Sequence, residues 1–154
     1  MRLASRGWSA SDHGVDAPDV WWRTVAFPRL VAAIRAEDLL DEHIDILDSH
    51  YHRFGVPLVG RTRAVFRTGD GYVIKVAHTW EGLAANALEA AVSQAVDPVV
   101  PMAPTELLKD GSVRAEEVTV LTVWDYRTVP TWIRSVDCAQ VGYLADGRLV
   151  AYDL

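Results

Sequence analysis

Lys75 is the residue whose surroundings point most directly to chemistry. It lies in the apolar run Val73-Ile74-Lys75-Val76-Ala77, and the alternation of side chains along a strand places it on the same face as Val73 and Ala77. A buried ammonium group costs several kcal/mol unless a partner neutralises it. Glu89 lies on the next predicted helix, and we expect it to pair with Lys75. The pattern leaves open whether this pair holds a ligand or is a structural bridge.

Other residues with reactive side chains lack the spacing that metal binding or nucleophilic catalysis needs. His50 and His52 would lie about 200° apart around a helix, so they cannot share a metal ion. Cys138 has Asp137 beside it, which disfavours a thiolate, and no histidine is close in sequence. Ser135 has no catalytic context either. We therefore expect no metal centre and no catalytic nucleophile.

The N-terminal third of the chain is predicted to be a helical arm. Residues 1–20 are rich in Ser, Gly, Asp and Pro, which is typical of a loose leader. Pro28 is well placed as the first residue of a helix, and Asp38 is a candidate cap for a second helix. Gly55, with a proline two residues later, predicts the end of this second helix.

The rest of the chain alternates between hairpins and a helix. Two strands at residues 64–67 and 72–76 flank the turn Thr68-Gly69-Asp70-Gly71, and Thr79 is a plausible cap for a helix to about residue 95. The predicted buried side of that helix is Leu83, Ala84, Ala87, Leu88, Ala91 and Val92. The later predicted strands are 106–108, 118–124, 140–144 and 148–153. This order predicts the class α+β, with an antiparallel sheet of about five strands, an arm at 1–55 and a domain at 56–154.

The arrangement of strand, turn, strand with Lys75, helix with Glu89 and strand 118–125 resembles the small lobe of a protein kinase. The final hairpin resembles the stretch from the kinase catalytic loop to the metal-binding Asp. Gln140 falls where that pattern has its metal-binding Asn, and Asp153 falls where it has the metal-binding Asp, 13 residues later as in kinases. The resemblance covers about residues 56–154 and extends to small kinase-like proteins of actinobacterial phages.

The resemblance implies a nucleotide site made of Lys75, Glu89, Gln140 and Asp153, because phosphoryl transfer needs a cation on the phosphates and an acidic metal ligand. Gln140 would be a weak ligand, since Mg²⁺ prefers carboxylates and water.

Several departures from the kinase pattern argue against catalysis. The loop before the first strand has the single glycine Gly60, and Ser135 stands where the catalytic base belongs. The segment before the final hairpin is too short for the long helix of a large lobe. We therefore expect a vestigial site, with no catalytic residue and no required cofactor; Mg-ATP is the cofactor that the resemblance would imply.

Composition limits the possible partners and the compartment. A formal net charge of −6 argues against general nucleic-acid binding, which needs Lys and Arg on the phosphates. No apolar stretch approaches the roughly 20 residues of a membrane helix, and one cysteine fits a reducing compartment. We expect a cytoplasmic protein. Thirteen arginines against two lysines indicate a GC-rich genome, such as that of an actinobacterium or its phage.

The sequence therefore predicts a non-catalytic, kinase-like binding or regulatory module that acts through protein–protein contacts. The partner is unidentified; for a phage protein it would be a host protein. The adjacent Trp21 and Trp22 are candidate interface residues, because neighbours on a regular element cannot both face one core and Trp is enriched at interfaces; core packing is the alternative. Two other functions remain open: a divergent phosphotransferase completed by dimerisation or a partner, with Asp137 as base, and a structural protein that binds no nucleotide.

Overall fold

Two antiparallel sheets form the centre of the fold. The computed structural model describes residues 17–122, 127–136 and 140–153. In these ranges a five-stranded sheet and a three-stranded sheet combine with helices, so the predicted α+β class is confirmed. None of the helices in these ranges has the length and apolar character that crossing a membrane requires.

The helices lie mostly before the first sheet. They are α1 (Ala17–Trp21), α2 (Phe27–Ala36), α3 (Glu42–Phe54) and α4 (Trp80–Ser93); a π-helical turn, Trp22–Ala26, joins α1 to α2, and a 3-10 helix covers Thr131–Ser135. The rest of the leader, residues 1–16, lies outside the described residues.

Two predicted helix starts are wrong. Helical structure begins before Pro28, with α1. Proline is tolerated there because it follows the π-helical turn, where Phe27 N–H donates to the Trp22 carbonyl and the regular hydrogen-bond pattern is already interrupted. Asp38 caps no helix. It has a φ of 55° in the turn after α2, a left-handed conformation that Asp adopts more readily than most residues.

Most strands pair with a strand that is next to them in the chain. They are β1 (Leu58–Val59), β2 (Arg63–Arg67), β3 (Tyr72–Ala77), β4 (Thr105–Leu107), β5 (Val113–Glu116), β6 (Thr119–Val120), β7 (Val141–Tyr143) and β8 (Leu149–Ala151). The first sheet has the order β1-β2-β3-β5-β4 and the second β6-β7-β8. The β2–β3 and β7–β8 hairpins are confirmed.

The structure corrects the predicted strand at 118–124, of which only Thr119–Val120 forms a strand in the described residues. The partner of β4 is β5, which begins directly after the turn at Gly111, where φ is +85°. Residues 119–120 instead pair with β7 in the second sheet, and residues 123–126 lie outside the described residues. The prediction missed β5, a strand of only four residues in which apolar and charged side chains alternate. It also placed residues 118–124 in one strand, because an apolar pattern carries no signal for which sheet a strand joins.

One face of the five-stranded sheet packs against the N-terminal helices. β2 and β3 pair with Ala64 opposite Val76 and Phe66 opposite Ile74, so these side chains share one face. The buried residues of this core are Trp22, Ala26, Leu30, Ile34, Leu39, Leu47, Tyr51, Ala64, Phe66 and Val76. The helical arm and the sheet therefore share one hydrophobic core.

Trp22 belongs to this core. It is 1% exposed, and its ring stacks on Tyr51 with centroids 5.6 Å apart. Burial within the chain does not fit the predicted interface role for Trp22 and agrees with the core alternative. Trp21 is partly buried against the same core, and its interface role stays a prediction.

The opposite face of the sheet packs against α4, whose buried side differs from the predicted one. The buried residues are Gly82, Asn86, Glu89 and Ala90, whereas Leu88 is 53% exposed. The predicted N-cap is confirmed, since the Thr79 hydroxyl accepts from Gly82 N–H at 2.9 Å. Apolar periodicity missed the buried side because two of its four residues are polar.

The segment 101–103 joins the two sheets. Ala103 N–H donates to the Ala151 carbonyl at 2.9 Å, and Ala151 N–H donates to the Pro101 carbonyl at 2.8 Å. The end of β8 is thereby held beside the five-stranded sheet. This contact brings Tyr152 and Asp153 to the face that carries Lys75.

Gly82→Ala should destabilise the protein, although replacing a helical glycine by alanine usually stabilises a protein. A Cβ at position 82 would overlap the Thr62 carbonyl and crowd Ala77 and Arg63. We expect a loss of about 1–3 kcal/mol in the free energy of unfolding, measured by urea denaturation. Ala84→Gly, at an exposed position of α4, is the control and should cost about 1 kcal/mol. A more stable Gly82→Ala protein would contradict the close approach of α4.

His50 should make stability fall in mild acid. Its ring lies against Phe54 and Phe66, and burial lowers its pKa below 6.5. The unfolded chain therefore binds the proton more readily, so this contribution is complete above about pH 6.5 and is lost as pH falls towards the lowered pKa. Urea denaturation at about pH 7.5 and 5.5 should show a smaller pH dependence for His50→Gln than for wild type. An unchanged slope in His50→Gln would contradict the prediction.

Candidate functional site

Four charged side chains meet between the sheet, α4 and the C-terminal hairpin; we call Arg63, Lys75, Glu89 and Asp153 the charged cluster. Lys75 Nζ lies 2.9 Å from Glu89 Oε2, and Arg63 Nη2 lies 2.7 Å from Glu89 Oε1. Arg63 Nη2 also donates to Asp153 Oδ1. Each carboxylate oxygen of Glu89 therefore contacts a different cation, and Arg63 bridges the carboxylates of Glu89 and Asp153.

Strand register explains why the two cations meet. β2 and β3 pair with Val65 opposite Lys75 and Arg63 opposite Ala77. Because side chains alternate along each strand, Arg63 and Lys75 point to the same face. The chain enters α4 directly after β3, which places Glu89 over that face.

Asn86 connects the cluster to the backbone around it. Its Nδ2 donates to the Lys75 carbonyl at 3.2 Å and to the Gly111 carbonyl at 2.9 Å. Its Oδ1 accepts from Arg63 Nη1 at 3.0 Å. The side chain is completely buried, and these three bonds use most of its hydrogen-bonding capacity. Asn86 therefore fixes α4 to β3, to the turn before β5 and to Arg63.

Tyr152 connects the C-terminal hairpin to Lys75. The carbonyl of Tyr152 accepts a hydrogen bond from Lys75 Nζ, next to the Arg63–Asp153 contact. The hairpin is thereby bound to the sheet through two successive residues.

Burial and charge interactions shift the pKa values of the cluster in different directions. Burial alone would raise the pKa of Glu89, but Lys75 and Arg63 outweigh it and the pKa is lowered. For Lys75, burial dominates and lowers the pKa, with Glu89 opposing it. Burial raises the pKa of Asp153 against the effect of Arg63. When all four groups are ionised, two positive charges balance two negative charges.

A cleft of about 130 Å³ opens beside the cluster. Arg63, Lys75 and Asp153 line it at the cluster. Its apolar lining comes from Leu58, Val65, Val73, Ala103, Ala115, Val118 and Val120, with Arg61, Arg67, Glu116 and Glu117 among the remaining lining residues. In the described ranges, no group of three or more His, Cys, Asp or Glu residues could hold a metal ion.

The structure brings together three of the four residues predicted to form the site: Lys75, Glu89 and Asp153. Gln140 is buried next to Tyr152, whose N–H donates to the Gln140 carbonyl at 3.0 Å, and it is not among the residues that line the cleft. Ser135 is exposed in the 3-10 helix. Asp137 and Cys138 lie outside the described residues.

The sequence reasoning missed Arg63 and Asn86. The signal for Arg63 was present, because the four-residue turn at 68–71 sets the register of the hairpin and alternation then places residues 63 and 75 on one face. Asn86 precedes Glu89 by three residues, a spacing that puts both on one side of a helix. A polar pair in an otherwise alanine-rich helix could have marked the buried side.

A double-mutant cycle on Lys75 and Glu89 should show strong coupling. Lys75→Met and Glu89→Leu alone should each cost about 3–5 kcal/mol in the free energy of unfolding. Glu89→Leu leaves the buried Lys75 without its carboxylate, and Lys75→Met removes one of the two cations that neutralise the buried Glu89. The double variant retains the neutral Arg63–Asp153 pair, so its loss should fall short of the sum by about 2–3 kcal/mol. The exposed pair Arg61–Glu81, changed to Met and Leu, is the control and should show much weaker coupling. Additive losses at Lys75 and Glu89 would contradict the importance of the pair.

Comparisons with known proteins assign no family. The chain matches no protein-family model, no curated protein and no solved structure. The α+β architecture, the charged cluster and the cleft are therefore the observations from which a function can be inferred.

Proposed function

We propose that this protein is a non-catalytic, kinase-like binding module in which its own charged cluster takes the place of Mg-ATP. The observation that carries the proposal is the contact of Arg63 with Asp153. The kinase-like part is supported by an antiparallel five-stranded sheet with Lys75 on β3, followed by a helix whose Glu89 pairs with it.

Asp153 is the residue that would hold Mg²⁺ in a kinase-like site, and Arg63 already neutralises it. Phosphoryl transfer needs the metal between this carboxylate and the phosphates. The Arg63 side chain is buried, and it also contacts Glu89 and Asn86. Arg63 engages Oδ1 of Asp153, so a metal ion at this carboxylate would lie beside a buried positive charge that repels it.

The turn between β1 and β2 is also poorly suited to cover a triphosphate. Gly60 N–H donates to the Arg63 carbonyl at 2.8 Å, and the Thr62 carbonyl accepts from His78 N–H at 3.0 Å. His78 Nε2 lies 3.0 Å from the Gly60 carbonyl. These bonds hold a short turn against the residue that precedes the Thr79 cap of α4, and they engage the N–H of Gly60, the one glycine of the turn, which is then not available to a phosphate oxygen.

The size of the cleft supports the same proposal. Sites for drug-sized ligands and cofactors have volumes of about 300–1,000 Å³, whereas this cleft has about 130 Å³. A cleft of this size encloses only a part of a nucleoside triphosphate.

Exposed apolar residues support action through protein contacts. Leu88 on α4 is 53% exposed, and Val96 and Val99, in the segment after α4, are 90% and 84% exposed. Exposed apolar residues close together in sequence are a feature of interaction surfaces when they form a contiguous patch. The partner would be a protein.

A divergent phosphotransferase is the second candidate, and one observation favours it: Lys75, Glu89 and Asp153 lie together beside a cleft. This alternative requires completion by a second copy or a partner, with Asp137 as base. Mg-ATP-dependent phosphate transfer that is lost in Asp137→Ala would select it over the non-catalytic proposal.

Mg-ATP should not stabilise the wild-type protein. A ligand present at a hundred times its dissociation constant adds about 2.7 kcal/mol of stability, so millimolar Mg-ATP would reveal even weak binding in a thermal-shift measurement. For wild type, Lys75→Met and Lys109→Met, we expect that adding Mg-ATP leaves the unfolding midpoint of each protein at its own value without Mg-ATP. Lys109, the other lysine of the chain, is exposed and provides the matched control. Stabilisation of wild type and Lys109→Met, but not Lys75→Met, would overturn the proposal.

A further inference from the structure

We propose that the cleft beside the charged cluster binds a small, neutral, single-ring molecule that carries a hydrogen-bond acceptor, and that Lys75 donates to this acceptor. The inference rests on the size of the cleft, its apolar walls, the charge balance of the cluster and the donors of Lys75. It does not depend on the kinase-like reading, since neither ATP nor catalysis enters the argument.

The walls of the cleft are apolar and come from several segments. They are formed by Leu58, Val65, Val73, Ala115, Val118 and Val120. Val65 and Val73 share the face of the sheet that carries Lys75, because β2 and β3 pair in register with Val65 opposite Lys75. Apolar walls with a few polar groups at one end are the usual composition of a small-molecule site.

The size of the cleft matches one ring. A dry, closed apolar cavity of about 150 Å³ accommodates benzene, and this cleft has about 130 Å³ and is partly open to solvent. A single six-membered ring therefore matches the apolar walls, with a short substituent directed towards the cluster and part of the ring in solvent.

The charge balance of the cluster selects a neutral ligand. Each basic side chain that lines the cleft already contacts a carboxylate: Arg63 and Lys75 in the charged cluster, Arg61 through Glu81, and Arg67 through Glu117. A carboxylate or phosphate would add an unbalanced negative charge at a largely buried position, and an ammonium group would add a positive one. Either charge is costly to bury without a partner.

Lys75 supplies the polar contact. An ammonium group has three N–H donors; one donates to Glu89 Oε2 at 2.9 Å and one to the Tyr152 carbonyl. In the part of the chain that the structure describes, no acceptor is assigned to the third donor. Because Lys75 lines the cleft, an amide or ketone oxygen on the ligand can accept this bond. A hydrogen bond to a charged donor is among the stronger ones.

Benzamide, benzoate and toluene are probes that separate these requirements. Saturation-transfer NMR and titration should show benzamide binding to wild type with a dissociation constant of about 0.1–1 mM. Toluene, which lacks the acceptor, and benzoate, which carries a charge, should bind at least about tenfold more weakly. Equal affinity of toluene would overturn the role of Lys75, and equal or tighter binding of benzoate would overturn the neutral assignment.

Variants locate the binding site. Val65→Phe fills the cleft and should abolish benzamide binding, whereas Leu88→Phe, on the exposed side of α4, should leave it unchanged. Circular dichroism establishes that each variant is folded, and Val73→Phe serves the same purpose if Val65→Phe does not fold. The proposal is overturned if benzamide does not bind wild type or binds the folded cleft-filling variant equally well. Neither outcome bears on Mg-ATP binding, which the thermal-shift measurement tests separately.

Discussion

The burial of the Lys75 ammonium group determines which elements of this fold are held together by charged side chains. Lys75 lies in the middle of the sheet, where an unpaired positive charge would cost several kcal/mol, and Glu89 provides the neutralising carboxylate from α4. Once Glu89 is buried, its second oxygen also needs a donor, and Arg63 supplies it. Arg63 in turn contacts Asp153 at the end of the chain. Each charge requires the next, so β2, β3, α4 and the C-terminal hairpin are held in one arrangement.

This requirement also explains where prediction of the fold from sequence succeeded and where it failed. The hairpins at 64–76 and 141–151 follow from glycine-containing turns between apolar strands, and those signals are local. The buried side of α4 was wrong because Asn86 and Glu89 face the sheet while Leu88 faces outward. An apolar pattern cannot identify a helix face that is buried through hydrogen bonds and ion pairs. The break between β5 and β6 depends on which sheet each strand joins, which is a tertiary property.

The candidate site was partly predictable for a related reason. Pairing of Lys75 with Glu89 follows from the cost of a buried charge and needs no knowledge of the whole fold. Asp153 was identified only through resemblance to kinases, since nothing local distinguishes a carboxylate that follows a strand. Its contact with Arg63 spans 90 residues and is created when segment 101–103 holds β8 beside the first sheet. The spacing of residues in the sequence therefore could not predict the contact between Arg63 and Asp153.

In the proposed kinase-like module, Arg63 contacts the carboxylate at which a metal ion would bind, and this contact has consequences for the proposed function. Mg²⁺ and a guanidinium both neutralise carboxylates, but an arginine side chain is part of the chain and stays charged at all physiological pH values. Arg63 and Lys75 therefore give both carboxylates of the cluster a partner from within the chain, and their contacts with Tyr152 and Asp153 link the hairpin to the sheet. A site that depends on Mg-ATP gains stability when the nucleotide binds, whereas this one already has its positive charge in place. Because each cation of the cluster already contacts a carboxylate, binding of an anionic ligand there is unfavourable. The proposed ligand therefore uses the apolar part of the cleft and one N–H donor of Lys75.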